Sequence, residues 1–72
     1  MTTTTLAESA QEAMVRDGFA EIAEAQEYLR LSRSTIYSFM ETGVLAYARF
    51  GRRRRIPWRA LRAYAAQQVV GV

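Results

Sequence analysis

The sequence contains no cysteine, no histidine, no lysine and a single proline. Without cysteine there are no disulfides and no thiolate chemistry; without histidine there is no imidazole base and none of the usual zinc sites. A chain of 72 residues is near the lower end of what folds without a covalent or metal staple, so its apolar half must pack well or lean on a partner. The missing cysteine suits a reducing cytoplasm. No apolar run approaches the roughly 18 residues of a membrane span, and the start, MTTTTLAESAQ, lacks the basic residues and apolar block of a secretory signal. A cytoplasmic protein with no membrane partner is therefore expected. Catalysis would rest on Glu, Tyr and Arg, and no carboxylate pair stands in a pocket-forming motif, so neither an enzyme nor a cofactor or metal site is expected.

Charge is plentiful but divided. Residues 1–29 carry one arginine against six carboxylates, a net of −5, whereas residues 30–72 carry nine arginines against Glu41, a net of +8. So basic a second half calls for a polyanion or tolerates one. All ten basic residues are arginine, which favours planar, bidentate contacts to phosphates and bases, although a GC-rich coding sequence accounts for it equally. The acidic half either solubilises two helices or meets a basic surface on another protein.

Read in order, MTTTT is low-complexity and polar and is expected to fray. Thr5 and Glu8 form a capping-box pattern ahead of LAESAQEAMVRDG, where Leu6, Ala10, Ala13 and Met14 recur at helical spacing and Gly18 closes the segment. The second helix is expected over FAEIAEAQEYLRL, with Ile22, Ala25 and Leu29 on one face and Glu21, Glu24 and Glu27 on the others. A break of three or four residues follows. Ser32 then caps a third helix that Gly43 ends, with Ile36, Phe39 and Met40 inward and Arg33, Ser34, Tyr37, Ser38 and Glu41 outward. Two short helices so closely joined form a helix-turn-helix candidate.

In VLAYARFGRRRRI, Ala46, Ala48 and Phe50 alternate with Tyr47 and Arg49, which is the period of a strand. Gly51-Arg52 supplies a turn, and Arg53 to Ile56 pair back, with Arg53 and Arg55 on one face and Arg54 and Ile56 on the other. Pro57 suits the first turn of a closing helix, PWRALRAYAAQQVV, with Leu61, Tyr64, Ala65 and Val69 at helical spacing. The four consecutive arginines thus belong to a hairpin clamped between helices. Tyr28, Leu29, Ile36, Phe39, Leu45, Phe50, Ile56, Leu61 and Tyr64 are expected in the core, because a chain this small cannot spare them.

The stretches EYL, LSRSTIY and GRRRRIP, taken with their spacing, resemble the excisionase-type, MerR-like winged helix-turn-helix domains, small DNA-binding proteins of phages, integrative elements and plasmids. The likeness runs from Phe19 to Tyr64. It implies a mainly α fold with a small β-hairpin wing, in which residues 1–18 are an N-terminal extension, partly disordered or weakly helical, and residues 19–70 are the winged helix-turn-helix domain. It further implies that Ser32 to Glu41 is a recognition helix in the major groove, presenting Arg33, Ser34, Thr35, Tyr37 and Ser38 to DNA. The wing would offer Arg49, Arg52, Arg53, Arg54 and Arg55 to a phosphate strand or the adjacent minor groove. Three positions depart from the family pattern: Glu21 replaces a Ser or Thr cap, Ser38 a commonly basic residue, and Trp58 a commonly charged one.

The residues admit blander readings too. The wing arginines can be a solvated turn, yet four like charges in a row repel one another unless an anion sits among them. Arg54 or Arg55 can instead brace Glu27 or Glu41. Arg33 can hold a guanine bidentately or stay in solvent. Tyr37 can cover the core edge, Trp58 can be partly buried, and Arg59 and Arg62 can touch a phosphate strand or only solubilise their helix. The resemblance implies an excisionase that binds and bends attachment-site double-stranded DNA beside an integrase and neighbouring copies of itself, nucleoid-associated when bound. The alternative is a small phage- or plasmid-type repressor of the same fold. A MerR-type sensing activator carries a long dimerisation helix and effector domain after the wing, so no small-molecule effector is expected in these 72 residues. A protein-binding adaptor, the third reading, predicts no DNA affinity at moderate salt.

Overall fold

The computed structural model describes residues 9–71. Ser9 opens the first helix (α1, Ala10–Val15): its hydroxyl accepts from the Glu12 N–H at 3.0 Å, and the Glu12 carboxylate accepts from the Ser9 N–H at 3.1 Å. This reciprocal pair satisfies two donors that a helix start leaves unmet. The capping box expected at Thr5 and Glu8 lies outside the described residues. The helix stops two residues short of the expected glycine cap. Gly18, at φ 85°, instead turns the chain into a strand.

That strand, β1 (Phe19–Ala20), replaces the helical start expected for these two residues. α2 (Ile22–Leu29) and α3 (Arg33–Thr42) follow, then β2 (Ala48–Phe50), β3 (Arg53–Pro57) and α4 (Trp58–Gln67). The three strands form an antiparallel sheet in the order β1-β3-β2. Phe19 stands opposite Pro57 and Ala20 opposite Ile56, while Ala48, Arg49 and Phe50 oppose Arg55, Arg54 and Arg53. A hydrogen bond of 3.0 Å from the Trp58 N–H to the Gly18 carbonyl extends the β1 pairing to the start of α4. Pro57 ends the strand and stands just before α4, rather than inside its first turn.

The turn between α2 and α3 is three residues long. Arg30 takes the left-handed conformation, φ 58° and ψ 43°, and the Leu31 N–H reaches back to the Gln26 carbonyl at 3.1 Å. This is the six-to-one bond of a Schellman ending, usually made with glycine. Ser32 then caps α3, its hydroxyl accepting from the Thr35 N–H at 3.2 Å, and Gly43 at φ 85° ends the helix.

Ala20, Ile22, Ala25, Ile36, Met40, Leu45, Ile56, Ala60 and Leu61 make one core, to which every element from β1 to α4 except β2 contributes. Full burial of residues such as Ile36, Leu45, Ile56 and Leu61 stabilises the fold by about 1.5–3 kcal/mol each. Leu29, Phe39, Trp58 and Tyr64 pack partly buried against this core. Two expected core residues are corrected: Tyr28 is 46% and Phe50 is 53% exposed. Their rings cover surface aromatics instead, Tyr28 edge-on to Trp58 at 5.7 Å and Phe50 edge-on to Phe19 at 5.1 Å. Val69 lies beyond the end of α4 and is exposed, so the helical face ends earlier than its spacing suggests. Asp17, after α1, pairs with Arg62 and, at 3.8 Å, with Arg59, tying the α1 end to α4. No described helix is long and apolar enough to cross a membrane. The architecture is a winged helix-turn-helix: α2 and α3 are the motif and the β2–β3 hairpin is the wing.

Candidate nucleic-acid interface

The wing is shaped by a two-residue turn. Gly51 has φ 65° while Arg52 keeps a negative φ, the pattern of a type II′ turn whose twist matches the flanking strands. Fixing the turn fixes the register, and the period of two then sorts the arginines. One face of the sheet carries Phe19, Phe50, Arg53 and Arg55. The other carries Ala20, Arg49, Arg54 and Ile56 and turns toward the helices, where Ala20 and Ile56 are buried.

Arg54 therefore points inward across the wing rather than out of it. Its Nη1 donates to Glu41 Oε2 at 3.0 Å, and its guanidinium lies 4.8 Å from the Tyr47 ring centroid and 5.6 Å from that of Tyr37. With 22% of its side chain exposed, Arg54 is a brace between wing and α3. The Glu41 hydrogen bond raises its pKa above the ordinary arginine value, with burial pulling the other way. Tyr37 is half-buried and also meets Arg33, whose guanidinium sits 5.2 Å from the ring and donates to the Tyr37 hydroxyl at 3.3 Å. The chain Arg33, Tyr37, Arg54, Tyr47 thus connects the start of α3 to the wing through cation–π contacts.

An open groove of about 470 Å³ lies between these parts. Glu21, Ile22 and Ala23 line it from the start of α2, Arg33 and Tyr37 from α3, and Arg52, Arg53, Arg54 and Arg55 from the wing. Arg55 Nη2 is 3.8 Å from Glu21 Oε2; of the two acids expected to brace the wing, Glu41 serves Arg54, and Glu21 takes the place expected for Glu27. Arg49, Arg52 and Arg53 are exposed and have no ion-pair partner among the described residues.

Of the ten residues singled out from the sequence, Arg33, Tyr37 and Arg52 to Arg55 converge on this groove. Ser34 is exposed on the first turn of α3 and lies 3.3 Å from the Ser32 hydroxyl, while Thr35, half-buried, meets that hydroxyl at 2.8 Å through its own. Ser38, one turn further along, is exposed and does not line the groove. Arg49 stands opposite Arg54 on the wing and also lies outside the lining. Trp58 is partly buried, as expected, and Arg59 and Arg62 are engaged by Asp17. The sequence reading had not placed Glu21 or Tyr47 in this region. Tyr47 shares its strand face with Arg49, so the alternation could have found it. Glu21 is brought in by β1, whose pairing carries no local signal.

The start of α3 and the arginine-bearing hairpin border one open groove, an arrangement of guanidiniums that can hold anionic groups. A family model described as a helix-turn-helix domain matches residues 21–69, which takes in α2, the turn, α3, the wing and α4. Comparisons with curated proteins and with solved structures found no match. By that match, covering more than half of the chain and coinciding with the motif seen in the fold, the protein belongs to the DNA-binding helix-turn-helix domain family.

Proposed function

We propose that the protein is a sequence-specific double-stranded DNA-binding protein, acting without catalysis, and that its role is that of an excisionase. In this reading the first turn of α3 enters the major groove with Arg33 and Ser34 toward base edges, and Thr35, Tyr37 and Ser38 set the helix against the backbone. Arg52 and Arg53 meet phosphates from the wing, Arg49 and Arg55 flank them, and Arg54 holds the wing in place. The observation that carries the reading is the convergence of the α3 start and the wing arginines on one groove.

The excisionase role is supported by the family likeness of the LSRSTIY and GRRRRIP stretches and by the economy of the surface. One helix start and one two-stranded wing neutralise few phosphates, so a lone copy binds weakly. Neighbouring copies, or an integrase bound alongside, raise the effective affinity by linkage. Footprinting on the DNA flanking the protein's own gene, with an excision assay, tests this. Tandem protected sites and protein-dependent excision are expected. Protection of a promoter alone, with excision indifferent to the protein, would replace the excisionase by a repressor.

A further inference from the structure

We propose that Glu21 limits how tightly the groove holds any DNA, its carboxylate standing on Arg55 where a backbone phosphate would otherwise sit. The proposal rests on the reading of the groove as a DNA interface and assigns a residue of that interface an opposing role. Glu21 is the one carboxylate among the residues lining the groove, set against five arginines. Its position is dictated by the sheet. Ala20 pairs with Ile56 in the antiparallel register, so the next residue along β1 arrives beside Arg55.

The two acids that meet the wing differ in kind. Glu41 is hydrogen-bonded to an arginine enclosed by two tyrosines and lies outside the groove. Glu21 is 62% exposed on its side chain and approaches Arg55 only to 3.8 Å, beyond hydrogen-bond distance, while its carboxylate is held at the helix start by the Glu24 N–H. Such a contact exchanges readily with another anion. Glu21 also stands at the N-cap of α2, with its own N–H engaged by the Glu24 carboxylate at 2.8 Å. This reciprocal capping box holds the carboxylate at the edge of the groove, beside Arg55. Because phosphate contacts carry no base information, a carboxylate here weakens binding to all sequences alike and leaves discrimination to the start of α3.

The test measures binding of a mixed-sequence duplex by the whole chain as wild type, E21Q, E21S, R55A, E21Q/R55A and R52A/R53A, across a salt series. E21S keeps a strong helix cap, so loss of the cap does not mask the result. Both Glu21 variants should bind more tightly than wild type. If Arg55 gains one phosphate, the log–log salt slope steepens by about 0.9, so the advantage of E21Q shrinks about 3.5-fold between about 50 and 200 mM salt. In the R55A background the gain should largely vanish, as a double-mutant cycle requires of a coupled pair. Unchanged or weaker binding by E21Q and E21S, or a gain that persists with R55A, overturns the proposal. If R52A/R53A weakens binding while the Glu21 variants do not strengthen it, only the proposal falls; if no variant or wild type binds duplex at about 50 mM salt, the DNA reading falls with it.

Discussion

Replacing Arg52 and Arg53 together by alanine removes two exposed guanidiniums that have no ion-pair partner among the described residues. Neither is in the core, and the positive φ that the two-residue turn requires is supplied by Gly51 rather than Arg52, so the wing should keep its shape. If each neutralises one phosphate, the slope of log K against log salt becomes shallower by about 1.8. Over a fourfold rise in salt, from about 50 to about 200 mM, the affinity advantage of the wild type then falls about twelvefold. Fluorescence anisotropy on a labelled duplex, repeated with an unrelated sequence, measures this directly. The loss should be the same on both sequences. Arg54→Ala supplies the internal control, because this guanidinium is held by Glu41 and stacked between tyrosines. It should weaken binding by loosening the wing while leaving the slope nearly unchanged. A double variant with the wild-type slope, or an Arg54 variant that flattens it by a full phosphate, would refute the division of labour argued from the geometry.

Arg33→Ala should cost about 1–3 kcal/mol at the cognate site and relax one base position in a selected-sequence logo; an unchanged logo removes Arg33 from readout. Arg30→Gly relieves a left-handed arginine worth about 1–2 kcal/mol at an entropic cost of about 0.5–1 kcal/mol, so thermal melting should shift upward by a few degrees. Leu61→Ala opens a cavity at a fully buried position and should destabilise by about 2–5 kcal/mol, a large part of the total stability of so small a domain, seen as a much lower melting temperature or an unfolded circular-dichroism spectrum.

The helix-turn-helix and the wing were legible because their signals are local. Ser32 and Gly43 bracket α3, and the alternation from Ala46 to Phe50 with Gly51 at the bend marks the hairpin. Even the split of the arginines between two strand faces follows from a period of two. What was not legible depends on partners distant in sequence. Two residues are too few to show a strand period, and Phe19 and Ala20 become a strand only because Ile56 and Pro57 present an edge to them. The same pairing selects Glu21 rather than Glu27 for Arg55. Tyr28 and Phe50 were misassigned for a related reason. Aromatic rings can satisfy their apolar area edge-on at the surface, and only the positions of Trp58 and Phe19 reveal that they do. At Arg30 the turn is made by a residue with no special turn signature, in the left-handed conformation that glycine usually supplies.

The consecutive arginines make sense only when sorted by this pairing. A flexible cationic strand would have to be ordered on every encounter with DNA, and that conformational cost would be subtracted from each phosphate contact. Here Arg54 anchors the run to α3 through Glu41, Tyr37 and Tyr47, so its neighbours are already arrayed when DNA arrives. The arrangement also divides the charge. Arg54 holds the wing, Arg55 is shared with Glu21, and Arg52 and Arg53 are left to solvent. Identical side chains in succession thereby acquire three different roles from strand alternation and from which acid the fold brings to each. On the proposed reading, affinity should depend on Glu21 and Glu41 as well as on the number of arginines, so a wing with the same four residues in another register should bind DNA differently.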